Sequence, residues 1–315
     1  MREILDTLDR WTADGVRAAT ATLVQTERSA PREVGAVMAV SERGDVAGSL
    51  TGGCVEPAIY EEARDVLAGG PARLRTYGIE DDEAFEAGLP CGGTVHVFLN
   101  TIERELVQEL SVAVRAEASV GLAMHVSGPA LGEQEIVPLD GRTEAALEGD
   151  VFVLPLLARP RMYVFGALDH AAAVARMGGF LGYHVTVCDA RVRFATRERF
   201  PDADELVVGW PDEYLRSAPV DERTAICILT HDHKFDVPVL KVALETPAGY
   251  IGALGARRTN EERMNQLRAD GVGEEALARI HAPIGLDIGA RTPEEVAVAV
   301  AAQIVAVRAR LRAKT

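Results

Sequence analysis

Two short strings place a thiol beside two glycines: Gly52-Gly53-Cys54 and Cys91-Gly92-Gly93. Glycines leave backbone N–H groups open to an anion, and a thiol near a helix N-terminus ionises more readily than a free one. Cys54 directly precedes an expected helix and suits both uses, whereas Cys91 joins a loop to a strand. The plainer alternative is that both are small packing residues in tight turns. Cys188 and Cys227 make the contrast, because they sit inside the apolar runs Val185-Thr186-Val187-Cys188 and Ala225-Ile226-Cys227-Ile228 and read as inert core. The four cysteines form no C-x-x-C pair, so neither a zinc knuckle nor a thioredoxin-like motif is expected.

Three further strings stand where expected strands give way to helices. Gly166-Ala167-Leu168-Asp169-His170-Ala171 follows an apolar strand, and Asp189 closes the next one. Gly166 and Ala171 fit the first and third positions of a dinucleotide fingerprint, with Asp189 as the ribose ligand. Leu168 occupies the middle position, where a bare backbone normally admits the pyrophosphate, so ordinary NAD binding is expected to be obstructed. The turn reads as scaffold or as the seat of another ligand, with an NAD(P)-dependent oxidoreductase as the alternative function. His231, His233 and Asp236 carry zinc-ligand chemistry and would make a zinc hydrolase. Against that, Asp236 precedes Val237 and Pro238 and makes a good helix N-cap. Gly255-Ala256-Arg257-Arg258 offers two arginines and free amides to a phosphate, or is simply a solvated basic turn.

The elements that must position these residues fall into two halves. The first shows an amphipathic helix carrying Ile4, Leu5, Leu8 and Trp11, then strands over 19–26, 36–40 and 46–50. A helix over 56–67, a strand over 94–99, a helix over 102–118 and two more strands complete it. Pro155 and Pro160 break the pattern near 157–161. Beyond them, strands over 162–165, 184–188, 205–208, 224–229 and 249–253 alternate with helices, as in a parallel sheet. Thr259 with Glu262, and Thr292 with Glu295 behind Pro293, read as capping boxes that open two of those helices. The fold class is therefore α/β: a mixed α/β domain over 1–157, then a Rossmann-like parallel-sheet domain over 162–315.

Bulk composition narrows the partners. At 315 residues the chain is long enough for two cores. A formal charge of −15 argues against nucleic acid as the main partner. No apolar run is long enough for a membrane span, and residues 1–11 carry acids instead of a secretory signal, so the expected compartment is the reducing cytoplasm. A homodimer is the default oligomer.

Taken together, these strings make the chain resemble the xanthine dehydrogenase accessory factor family, also called XdhC/CoxI. The resemblance covers almost the whole chain. It rests on Ser29-Ala30-Pro31-Arg32 with Gly35, on Gly48-Ser49-Leu50-Thr51-Gly52-Gly53-Cys54-Val55-Glu56, and on Cys91-Gly92-Gly93. In the second half it rests on Tyr250-Ile251-Gly252-Ala253-Leu254-Gly255-Ala256-Arg257-Arg258 and His281-Ala282-Pro283-Ile284-Gly285-Leu286-Asp287. The resemblance implies an accessory protein, more than an enzyme, that binds the molybdenum cofactor. Such a protein holds the cofactor during sulfuration and passes it to an apo-molybdoenzyme of the xanthine dehydrogenase or CO dehydrogenase type. A cysteine desulfurase would supply the sulfide. Carried onto this chain, Cys54 and Cys91 touch the metal end, while Arg32, Gly52, Gly53 and Gly92 lie around the pterin phosphate. Gly255, Arg257 and Arg258 would hold the nucleotide or phosphate end. One departure stands out: family members often carry Gly-Ala-Gly-His where this chain has Gly166-Ala167-Leu168-Asp169, which puts a nucleotide role for that turn in doubt.

Overall fold

The computed structural model describes residues 1–28, 32–53, 55–78, 93–230 and 232–312. They form two compact units, Met1–Ala158 and Arg159–Thr315.

The first unit runs α1 (Arg2–Ala13), β1 (Ala18–Glu27), β2 (Val37–Ser41), β3 (Val46–Gly48), α2 (Glu56–Leu67), β4 (Arg73–Tyr77), β5 (Thr94–Ile102), α3 (Arg104–Arg115), β6 (Val120–His125), β7 (Gln134–Val137), β8 (Ala146–Glu148) and β9 (Val151–Leu156). β1 to β5 make an antiparallel sheet in the order β3-β2-β1-β5-β4, and β6 to β9 a second in the order β7-β6-β9-β8. Alternation on β1 and β5 sends side chains to two cores. Leu23, Val95, Val97 and Leu99 pack under Ile59 and Ala63 of α2. Val24 and Phe98 pack with Leu5 and Leu8 of α1, Leu110 of α3 and Phe152 of the second sheet. Gly48 closes β3 at φ +79°, where an added Cβ would lie 2.3 Å from the Val37 carbonyl oxygen. Only glycine lets β3 end this close to β2.

The second unit runs β10 (Arg161–Phe165), α4 (Asp169–Phe180), β11 (His184–Asp189), β12 (Glu205–Val208), α5 (Pro211–Ser217), β13 (Ala225–Ile228), α6 (His233–Glu245), β14 (Tyr250–Ala253), α7 (Arg257–Ala269), α8 (Glu274–Leu277), β15 (Ile280–His281) and α9 (Pro293–Arg312). All six strands are parallel, in the order β12-β11-β10-β13-β14-β15. The order reverses between β10 and β13, which is the switch point where open α/β sheets bind ligands. Both faces are covered, as a parallel sheet requires. Met162, Val164, Val185 and Val187 pack with residues of α4 and α9. Tyr163, Phe165, Ile226 and Ile228 pack with residues of α5, α6 and α7. The chain is thus α/β, with the expected Rossmann-like sheet in its second unit. Among the described residues no helix is long and apolar enough to cross a membrane.

Four strands escaped the sequence pattern, one of them the two-residue β15 at the edge of the second sheet. β4 is an exposed edge strand of alternating arginines, and β7 and β8 are short and half-exposed. Their sequences carry little of the apolar period that marks a buried strand.

Candidate functional site

Residues 49–55 lead from β3 to α2 in the first unit. Glu56, the first residue of α2, folds its carboxylate back into that loop. Oε1 accepts from Ser49 Oγ (2.8 Å) and from the amides of Leu50 (3.2 Å), Thr51 (2.8 Å) and Gly52 (2.9 Å); Oε2 accepts from Thr51 Oγ1 (2.7 Å) and the Gly53 amide (2.9 Å). Gly52 and Gly53 have φ values of +83° and +121°, which lets successive N–H groups converge on one point, a backbone nest. Burial alone would raise the Glu56 pKa, but the bonds from Thr51 and Ser49 outweigh it and hold the carboxyl at about 2. The expectation that the Gly52 and Gly53 amides face a ligand anion is therefore corrected: the anion in this nest belongs to the chain.

Arg32 reaches the same loop. Its Nη1 donates to the Ser49 carbonyl (3.0 Å), and its Nη2 pairs with Glu3 of α1 (3.2 Å). A cavity of about 420 Å³ opens beside it, lined by Glu3, Arg32, Val34 and Gly35 among others. Arg32 thus touches, at Ser49, the loop that holds Gly52 and Gly53. Cys54, Cys91 and Gly92 lie outside the described residues. At the sheet end where the segments holding Arg32 and Gly93 attach, His96 stands between Thr76 Oγ1 (3.0 Å from Nδ1) and Glu27 Oε1 (3.5 Å from Nε2). Sequence reasoning missed this row and Glu56. An acid at the helix start, three residues past a glycine pair, was the available signal for Glu56.

In the second unit, Gly166 (φ +109°) stands against Thr230, whose amide nitrogen would be 2.9 Å from an added Cβ. Ala171 is fully buried, in keeping with the fingerprint's third position. Leu168 is the N-cap of α4 and supplies no side-chain bond. Asp189 is not free for a ribose. Its Oδ2 accepts from the Ala167 amide (2.7 Å) and Arg191 Nη2 (2.7 Å), and its Oδ1 from the Arg191 amide (2.8 Å) and Nε (2.9 Å). Arg199 covers the same turn, donating to the Ala167 carbonyl (3.0 Å) and pairing with Asp169 (3.1 Å). The reading of Asp189 as a ribose ligand fails on this geometry.

Asp236 is neither a cap nor an open metal ligand. Asp232 caps α6, accepting from the Lys234 amide (3.1 Å), while Asp236 is fully buried against the guanidinium of Arg263, itself fully buried. Arg263 also donates to the Leu254 carbonyl (3.1 Å) and to Asn260, whose amide donates to the Gly255 carbonyl (2.8 Å). This chain of bonds holds the turn that carries Arg257 and Arg258. α7 begins at Arg257 with Ala256 as N-cap, so Thr259 lies inside the helix and the capping box expected at Thr259 and Glu262 does not form. Glu262 instead pairs with Arg258 (3.0 Å), and Arg257 is exposed beside it. His233 is exposed, and His231 lies outside the described residues. Among the described residues no group of three or more His, Cys, Asp or Glu is placed to hold a metal ion. Cys188 and Cys227 are fully buried, and burial pushes both thiols up to about 12. They are inert core, as their strands implied.

Residues 11–78 match the family model described as the XdhC and CoxI family, and residues 162–304 match the XdhC Rossmann domain. The chain is 31% identical over 294 residues to the molybdenum cofactor insertion chaperone PaoD of Escherichia coli (strain K12), covering 93% of this chain and 84% of that one. It is 28% identical over 328 residues to a protein of Bacillus subtilis (strain 168) described as a probable xanthine dehydrogenase subunit, covering 96% of this chain and 97% of that one. A crystal structure from Bacillus halodurans, described as a xanthine dehydrogenase, aligns with a TM-score of 0.79 at 25% identity, covering 99% of this chain and 96% of that one.

Proposed function

The chain belongs to the XdhC and CoxI family, and from that premise we propose that it is a molybdenum cofactor-binding maturation factor. It holds the cofactor as cargo during sulfuration and delivers it to an apo-enzyme of the xanthine dehydrogenase or CO dehydrogenase type. The likeness to an insertion chaperone, which runs through both units, carries this reading. A cysteine desulfurase supplies the sulfide, and the protein works in the cytoplasm as a homodimer. Cys54 and Cys91 meet the molybdenum end, because soft thiolates hold such a metal without a closed cage and so permit release. Arg32 and Gly92 attend the pterin phosphate. Gly52 and Gly53 shape the loop. Gly255, Arg257 and Arg258 offer the second unit's own place for a nucleotide or phosphate group, with the N-terminus of α7 aiding charge.

The test is protein made alongside cofactor synthesis. It should carry molybdenum by metal analysis and release a fluorescent oxidised pterin. A native preparation without either, together with an anaerobic titration that shows no binding, ends the proposal.

A further inference from the structure

α9 is apolar on two faces. Ala297, Val300 and Ile304 are buried and pack with the sheet and α4. On the outer side Val298, Ala302, Val305 and Ala309 recur at the spacing of one helical stripe, and Val298 and Val305 are 48% and 49% exposed. From Val296 to Val307 the one polar residue is Gln303, and its carboxamide oxygen is taken by the Tyr250 hydroxyl (2.6 Å) and the Gly285 amide (2.9 Å). A surface helix ordinarily turns charged side chains to water along its outer face. The run is also too short for a bilayer, reaching ~18 Å as a helix against a hydrocarbon core of ~30 Å. A bare stripe of this kind is what a protein–protein contact covers.

The charges at the two ends of α9 say what covers it. Glu294 and Glu295 open the helix, and Arg308 and Arg310 lie near its end. Glu294 is exposed, and Arg308 meets only the hydroxyl (3.3 Å) and ring of Tyr183; neither makes an ion pair among the described residues. A second copy of the same helix, laid antiparallel, brings acids to arginines at both ends at once, whereas a parallel copy would set like charge against like. With Val298 of one protomer against Val305 of its partner, Ala302 lies near the two-fold axis, where its small side chain lets the backbones approach. In that register Glu294 of one protomer lies one position from Arg308 of the other. At 100° per residue both flank the stripe on the same side, and a two-fold axis across the helices keeps that side in common.

We infer that the outer face of α9 is a self-association surface. Two copies of the chain meet there as an antiparallel pair, with Val298, Ala302 and Val305 at the centre and a Glu294–Arg308 pair at each end. This deepens the homodimer of the maturation-factor reading and rests on that part of it alone, not on the cofactor.

Sedimentation equilibrium of the full chain is the test. The parent, a dimer at micromolar concentration, is compared with Val305→Glu, Glu294→Arg, Arg308→Glu and the double reversal Glu294→Arg with Arg308→Glu. Val305→Glu buries two like charges near the axis and should raise the dimer dissociation constant about 100-fold or more. Each single charge reversal acts at two symmetric pairs and should raise it about tenfold. The double reversal restores opposite charges and should return it to within about threefold of the parent. Because Arg308→Glu loses the Tyr183 contact in the single and the double variant alike, recovery in the double marks an interface pair and not a fold contact. Thermal unfolding checks that each variant is folded; if Val305→Glu is not, the charge series decides alone. A monomeric parent, a folded Val305→Glu dimer as tight as the parent, or a double variant as weak as the singles would each overturn the inference. Cofactor content is measured on the same samples. A dimer without cofactor ends the maturation-factor reading and leaves the α9 contact standing, whereas a monomer that carries cofactor does the reverse.

Discussion

Two carboxylates, Glu56 and Asp236, are held by contrasting means. Glu56 is ringed by hydroxyls and amides at a partly open loop, and its proton affinity falls in the folded state. Its contribution to stability is therefore full above its ordinary value of 4.5 and fades as pH drops toward 2. After allowance for water screening it is worth roughly 1–2 kcal/mol. Urea titrations should show Glu56→Gln less stable than the parent by about that amount at pH 6, with the gap closing by pH 2. Asp236 has one charged partner in an apolar shell, where burial works against the ionised form and Arg263 favours it. Arg263→Met should cost about 3–5 kcal/mol, because it strands a buried carboxylate, whereas Arg263→Met with Asp236→Leu should recover most of that. A double variant no more stable than the single would argue against the pair as the cause.

Among the elements, α9 has the clearest local signals. The Glu295 amide donates to Thr292 Oγ1 (3.2 Å), the Glu295 carboxylate accepts from the Thr292 amide (3.1 Å), and Pro293 takes the first helical position. Thr292→Ala should cost about 1 kcal/mol in urea unfolding, and Glu295→Ala a comparable amount. This box, five of the six parallel strands of the second unit and the inert Cys188 and Cys227 were legible in the sequence, because each depends on residues close by or on an apolar run. The start of α7 was misjudged because Asn260 and Arg263, from within the helix, secure the preceding turn and no side-chain cap is needed. Asp236 looked like a cap because its true partner lies far along the chain, on another helix. At the Gly52-Gly53 loop the sequence advertised freedom of φ and open amides. Which anion fills them depends on a backward fold of Glu56, and no spacing rule specifies that.

At the scale of the whole molecule, each unit has apolar clusters of its own. Fragments 1–158 and 159–315 should each unfold cooperatively on heating, and Arg263→Met should move the transition of the second alone. A fragment without a cooperative transition would refute this. The strand order also sets a sequence of events in time. β10 is flanked by β11 and β13, so one edge pairs once Asp189 has been made, but the other must wait for Ile228. At roughly 5–20 residues per second a ribosome takes several seconds to cross that interval. Throughout it, the apolar strand ending in Val164 and Phe165 has a bare side, open to any passing strand, and the nascent chain is exposed to aggregation there.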